Sequence, residues 1–439
     1  MLGKDDSLNL TETALAACTC DQAEVVLHRE DRALTRFAES VIHQNVAEAN
    51  ATFSVRAVVG KRIAAAKTNQ LTAEAARETA QRAQELAAVS AEDKDFRSLA
   101  TPQPIREVPS YAATTAASTP EARAAAVQEA IAAAQREGCL ASGSLSVETA
   151  EVAIGNSLGV RAYAPVTQAS FVTVIADDTS SGYADWYGTD LSQFDPRAIA
   201  ERAVRKCVAG RGAEAIEPGV YTVILEPPAV GDMLSLLSWI GFGANAYQEG
   251  RSFLSGRLGE KVMGPNVSIW DDGTDPRGLP FAFDWEGMPK RKVMLIEKGV
   301  AAGVAYDTYA AGKEDKETTG NALPAPNTYG PLPTSLFMNT GDASLDEMIA
   351  ATDRGLLVTR FHYTNIVHEK QTIITGMTRD GTFLIEAGKI VRPVQNLRFT
   401  QSITEALSAV EMIGREGRLC ESGYAYTPAI KVARFNFTS

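Results

Sequence analysis

Between Tyr221 and Lys261 the apolar and polar positions change period three times, and the stretch predicts a strand, a break, a helix and a polar loop. Tyr221-Thr-Val-Ile-Leu225 is β-branched and apolar, the mark of a buried strand, and Glu226-Pro-Pro228 ends it because proline cannot donate to a ladder. Asp232 is placed to cap or charge the first turn of a helix on which Met233, Leu236, Leu237 and Ile240 recur at helical spacing. After Gly241 the period is lost, and Asn245-Ala-Tyr-Gln-Glu-Gly-Arg-Ser252 is polar throughout. A strand that delivers a helix and then a Gly-rich polar loop can form one wall of a pocket.

The rest of the chain divides by pattern. Leu10 to Ala17 predicts a helix capped near Asn9 or Thr11, and Ala23 to His28 a strand. Phe37–Val41, Val46–Val59 and Arg62–Ala66 predict an antiparallel meander with Gly60-Lys61 as a tight turn. Thr72 caps a helix with alanines at 76, 80, 83 and 87, and residues 93–113 form a Pro-containing connection. Thr119-Pro120 and Asp195-Pro196 are N-cap and first-turn pairs, with Ile199, Ala203 and Cys207 inward on the second helix. Ala51 to Asn69 and Ala169 to Asp190 repeat one order of strand, glycine and helix-starting pair, which reads as a duplicated β-β-α unit. Residues 1–215 are therefore expected to form an N-terminal α/β domain, sheet on one side and helices on the other. In residues 216–439, strands are expected at 267–270, 292–297, 303–308, 356–363, 371–379 and 382–387, with turns at Asp380-Gly381 and Ala387-Gly388. This is a mainly antiparallel, barrel-like second domain, so the fold class is α+β.

Charge and cysteine usage narrow the function. A net charge of -12 excludes an electrostatic hold on nucleic acid, since phosphate affinity needs a surplus of cations. No stretch approaches the roughly 20 apolar residues of a membrane span, and a cytoplasmic protein is expected. Five scattered cysteines do not make a disulfide framework.

Gly250-Arg-Ser-Phe-Leu-Ser-Gly256 and Leu258-Gly259-Glu260 after the strand and helix, with Pro280 to Gly287, Thr318 to Ala322 and Phe383 to Ile390, resemble the TldD/PmbA family, which includes zinc peptidases. In its metal-binding members the helix carries His-Glu-x-x-x-His, two imidazoles for zinc and a carboxylate as general base. Laid back from Gly250, that motif falls on Ser235, Leu236 and Ile240. The resemblance therefore implies the PmbA/TldE-like branch: no metal or other cofactor in this chain, zinc in a TldD-like catalytic partner, and a dimer with that partner or with itself. It further implies a role in a cytosolic peptidase acting on unfolded or precursor peptides, and leaves open whether the chain alone is an enzyme.

Candidates for an extended-peptide groove are Asn245, Gln248, Glu249 and Arg251, with Asn321 in the long polar loop 313–329 and Arg379 as a partner for a peptide carboxylate. Cys420, in Gly417 to Gly423, lies near where metal-binding relatives supply a thiolate. Without two histidines it makes no zinc site. His362 and His368 are six apart, roughly 20 Å along a straight strand and too far for one ion. Two alternatives stand beside the subunit reading: an enzyme of different mechanism using Cys420 or a carboxylate such as Glu249, and a peptide-binding module without catalysis.

Overall fold

Two copies of one chain pattern build the first sheet in the computed structural model, which describes residues 1–420 and 423–439. The first copy is α1 (Lys4–Ala16), β1 (Gln22–Ala38), β2 (Val41–Val59), β3 (Arg62–Thr68) and α2 (Ala73–Val89). After the short α3 (Ala113–Ala116), the second is α4 (Pro120–Arg136), β4 (Leu140–Asn156), β5 (Arg161–Ala176), β6 (Ser181–Gly188) and α5 (Pro196–Ala209). The strands pair antiparallel in the order β3-β2-β1-β4-β5-β6, so the copies meet at β1 and β4. The repeat legible in sequence is thus longer than β-β-α: three strands with a helix at each end.

Local chemistry sets these elements. Thr72, Thr119 and Asp195 each accept a hydrogen bond from the third residue after them, as the cap pattern predicts. The run read as Phe37–Val41 is instead a hairpin turn, because Glu39 and Ser40 both adopt positive φ (50° and 63°) and reverse the chain there. One face of the sheet packs on the helices through Val25, Leu27, Phe53 and Val55 against the alanine stripe of α2, and through Leu145, Phe171 and Ile175 against α4 and α5. Cys207 is fully buried there. The opposite face presents Val152, Ile154 and Ala164 to Phe283 and Met288 of the second half.

The second half contains β7 (Gly219–Leu225), α6 (Pro227–Leu237), a π-helical turn at Ser238–Phe242, α7 (Ala244–Gln248), β8 (Ile269–Asp271), β9 (Val293–Glu297), β10 (Val300–Ala301), α8 (Thr308–Lys313), β11 (Leu336–Met338) and α9 (Leu345–Ala350). It continues with β12 (Arg354–His368), β13 (Ile373–Glu386), β14 (Lys389–Pro393), β15 (Arg398–Ser402), α10 (Ile403–Ser408), β16 (Val410–Cys420) and β17 (Ala425–Phe437). Its eleven-stranded, mainly antiparallel sheet contains a closed ring: β7 pairs with β12 and β17, β17 with β15, β15 with β13, and β13 with β12. The ring wraps a core that includes Val223, Leu225, Met233, Leu237, Phe361, Phe399 and Phe435.

Three local expectations are corrected. Asp232 neither caps nor charges a first turn; α6 starts at Pro227, whose fixed φ suits the first helical position, and Asp232 lies in its interior bonded to Thr364 Oγ1 (2.5 Å). Asp380-Gly381 is a bulge inside β13, with φ of 58° and 121° and the carboxylate bound to Arg360 and Ser181. Gly303–Thr308 is no strand; only Ala305 bridges to Gly243, and Asp307 caps α8 through Ala310 N–H. Ala387-Gly388 does turn, linking β13 to β14.

Candidate functional site

α6, the π-turn and α7 form one wall, and the loop 320–333 lies on its end. Ser238 Oγ donates to Pro333 O (2.7 Å), and Ser252 Oγ donates to Gly241 O (2.6 Å). Contact this close needs glycine: a Cβ on Gly243 would sit 2.3 Å from Pro331 O, and one on Gly241 2.5 Å from the Phe253 ring. Along the wall, Ser235 Oγ, Asn245 Oδ1, Gln248 Oε1 and Thr308 Oγ1 are buried without a hydrogen-bond partner among the described residues. Buried polar atoms are otherwise nearly always paired, so these four are exceptions. Gln248 Nε2 also donates to Ala310 O (2.9 Å), tying α7 to α8. Trp239 on the π-turn and Tyr329 on the loop meet at 4.7 Å between ring centroids, both exposed.

The same loop borders a cleft of about 380 Å³ between the two halves of the molecule. Phe281, Phe283 and Trp285 supply its apolar floor, and His28, Glu148, Gln168, Asp284 and Lys290 are among its polar groups. His28, read from sequence as a plain strand residue, stands edge-on to Trp285 at 5.4 Å.

Beneath this cleft the halves are joined by buried charge. Arg56 of β2 binds Glu24 of β1 (2.9 Å) and Glu286 (3.3 Å), and Glu286 also accepts from Thr308 N–H (3.0 Å). Asp284 accepts from the N–H groups of Glu286, Met288 and Ala322. Burial, with the Glu286 charge adding, still pushes its carboxyl up to about 7, and the same causes push Asp307 up to about 6. Burial also raises Glu24. Sequence reading missed this cluster, since no periodicity relates Arg56 to Glu286.

The sequence candidates scatter around this frame. Asn245 lies against Gly330 and Gln248 against α8, on the wall. Glu249, Arg251 and Glu369 form an exposed ion-pair chain at 2.6 and 3.2 Å. Asn321 is inside, donating to Asp271 Oδ2 (2.7 Å) and accepting from Thr319. Arg379 is on β13, half-exposed and 3.9 Å from Asp380. Cys420 ends β16 with its thiol buried, while Glu421 and Ser422 of the same segment lie outside the described residues. His362 and His368 lie on β12, the latter accepting from Gln371 N–H (3.2 Å).

At the positions onto which the motif falls when laid back from Gly250 stand the orphaned Ser235 hydroxyl, Leu236 packed on the core, and Ile240 at 1% exposure. A hydroxyl and two hydrocarbons do not fit zinc, which takes imidazole, thiolate or carboxylate donors. Among the described residues the one trio of such donors within reach of each other is Cys139, Asp177 and Cys207, on the first sheet and its helices. There Asp177 is occupied by Arg211 (2.7 Å), Thr179 and Ser180.

The chain matches three family models: PmbA/TldA metallopeptidase domain 1 over residues 23–87, the central domain over 106–211, and the C-terminal domain over 218–439. It is 28% identical over 242 residues to the metalloprotease TldD homolog of Haemophilus influenzae, covering 54% of this chain and 49% of that one. A Methanothermobacter thermautotrophicus metalloprotease is 27% identical over 262 residues, 57% of each chain. The chain thus spans about half the length of the curated relatives it matches. Among solved structures, TldE from Thermococcus kodakarensis superposes with a TM-score of 0.90 at 22% identity, covering 99% of this chain and 100% of that one. With models matched from residue 23 to residue 439 and the fold shared end to end, the chain belongs to the PmbA/TldD metallopeptidase family.

Proposed function

We propose that this chain is the zinc-free, TldE-like subunit of a cytoplasmic peptidase, and that it holds an extended peptide for a TldD-like subunit carrying the catalytic zinc. The observation that carries the proposal is the side chains at 235, 236 and 240, where an ion would need donors and finds a hydroxyl and hydrocarbon. Peptide holding is supported by the trough between the two halves, floored by aromatic rings and edged by polar groups. No hydrolytic step is assigned to this chain's own residues.

The test is zinc content and peptide cleavage, measured for the purified chain alone and mixed with a family protein bearing His-Glu-x-x-x-His. The expected result is metal-free, inactive protein alone, and a stable complex that cleaves an unstructured peptide. Stoichiometric zinc in the isolated chain, with cleavage abolished by a chelator, overturns the proposal.

A further inference from the structure

The turn after α4 and the last turn of α5 bring two thiols together. Cys139 Sγ and Cys207 Sγ stand 3.7 Å apart, both buried and both free. A disulfide holds its sulfurs about 2 Å apart, so each has to move by less than about 1 Å to bond. Cys139 lies just under the surface, with residues 135–138 and 140 exposed around it. The exposed Arg211 covers it, donating from Nη2 to Sγ (3.4 Å), a cationic neighbour of the kind that reactive cysteines have. Cys207 is deeper, and burial pushes its thiol up to about 11, so an oxidant meets Cys139 first. The duplicated pattern of the first sheet shows what this joint is for. In the first copy the equivalent turn, after α1, is tied to α2 by Gln84 Oε1, which accepts from Thr19 N–H (2.6 Å) and Cys20 N–H (3.0 Å). In the second copy the two sulfurs stand at that joint, with Arg211 Nη2 on Glu137 O (2.9 Å) beside them. A metal ion does not suit the place, because the Arg211 guanidinium already holds two of the three donors, Cys139 and Asp177.

We propose that Cys139 and Cys207 form an oxidation site, a dithiol that a hydroperoxide converts to a disulfide bracing α5 against the start of β4. The site does not depend on the subunit reading above. In the first step the Cys139 sulfur attacks a peroxide oxygen: an S–O bond forms, the O–O bond breaks, and the departing oxygen takes the thiol proton and leaves as water or an alcohol. The Cys207 sulfur then attacks the sulfenic sulfur: the S–S bond forms, the S–O bond breaks, and hydroxide leaves as water with the Cys207 proton. The two thiols lose two electrons and the peroxide gains them. The link closes a loop that holds β4, β5, β6 and most of α5, and so restricts the unfolded chain. Lys206, next to Cys207, bonds to Glu226 and Thr359, so the braced end of α5 is the one that touches the second half.

In the experiment the folded full chain is exposed to excess hydrogen peroxide, then denatured, alkylated and digested without reductant. Mass spectrometry should find the peptides of Cys139 and Cys207 joined, lighter by two hydrogens than their sum. Thermal unfolding of the oxidised protein should move up by several degrees and return on adding dithiothreitol. Recovery of both residues in alkylated form overturns the proposal, and a joined peptide without a rise in unfolding temperature overturns the brace. In Cys207→Ser, or in Cys207→Ala if the serine variant does not fold, Cys139 should stop at the sulfenic acid, trapped by dimedone, with no upward shift. A dimedone adduct on Cys207 of Cys139→Ser, with none on Cys139 of the other variant, overturns the order of the two steps. Zinc added to the reduced protein should leave both thiols open to alkylation; protection of the pair by zinc overturns the assignment in favour of a metal site.

Discussion

Arg56 shows how much of the molecule's cohesion rests on single side chains. It neutralises Glu24 in its own sheet and Glu286 across the boundary, so its removal strands two buried carboxylates. Arg56→Met is expected to cost about 3–5 kcal/mol in denaturant unfolding, the penalty of breaking a buried pair. Asp284 makes a pH-dependent contribution of definite sign. Its folded pKa, about 7, lies above its ordinary 3.8, so its stabilisation is complete below about pH 4 and is lost as pH rises through 7. The stability of wild type relative to Asp284→Asn should therefore shrink steadily between pH 4 and 7, read by urea unfolding at matched ionic strength. At this scale the sequence was legible where chemistry is local: Thr72, Thr119 and Asp195 cap as their neighbours foretell. It was illegible where partners are distant, as with His28 and Trp285, which stand 257 positions apart and meet ring to edge.

Elements succeeded or failed in the reading for related reasons. Strand, break, helix and polar loop follow in order from Tyr221 onward, because period and proline placement report the backbone directly. Asp380-Gly381 deceived because the dipeptide of a hairpin also suits a bulge, and the choice was made by Arg360 and Ser181 drawing the carboxylate across. The π-turn left no mark in the pattern, yet it brings Gly243 within van der Waals reach of Pro331. Gly243→Ala should push the loop 320–333 off α7, since a main-chain oxygen cannot yield as a flexible side chain would. Limited proteolysis should then cut within that loop markedly faster than in wild type, with the N-terminal sheet still resistant.

For the whole molecule, the family blocks quoted from the sequence and the three matched models agree, and the two-sheet α+β architecture is the one expected. What pattern could not give is closure: β17 bonds to β7, β11, β15 and β16 at once, and its pairing with β7 joins residues more than two hundred positions apart. This one strand also sets a schedule for biosynthesis. Every strand of the first sheet has been translated by Gly188, so that sheet can assemble while the ribosome is still adding residues. The second sheet must wait, its ring gaping and the edge of β7 bare, until residues 425–437 clear the exit tunnel, and in that interval the nascent chain most needs a chaperone's cover.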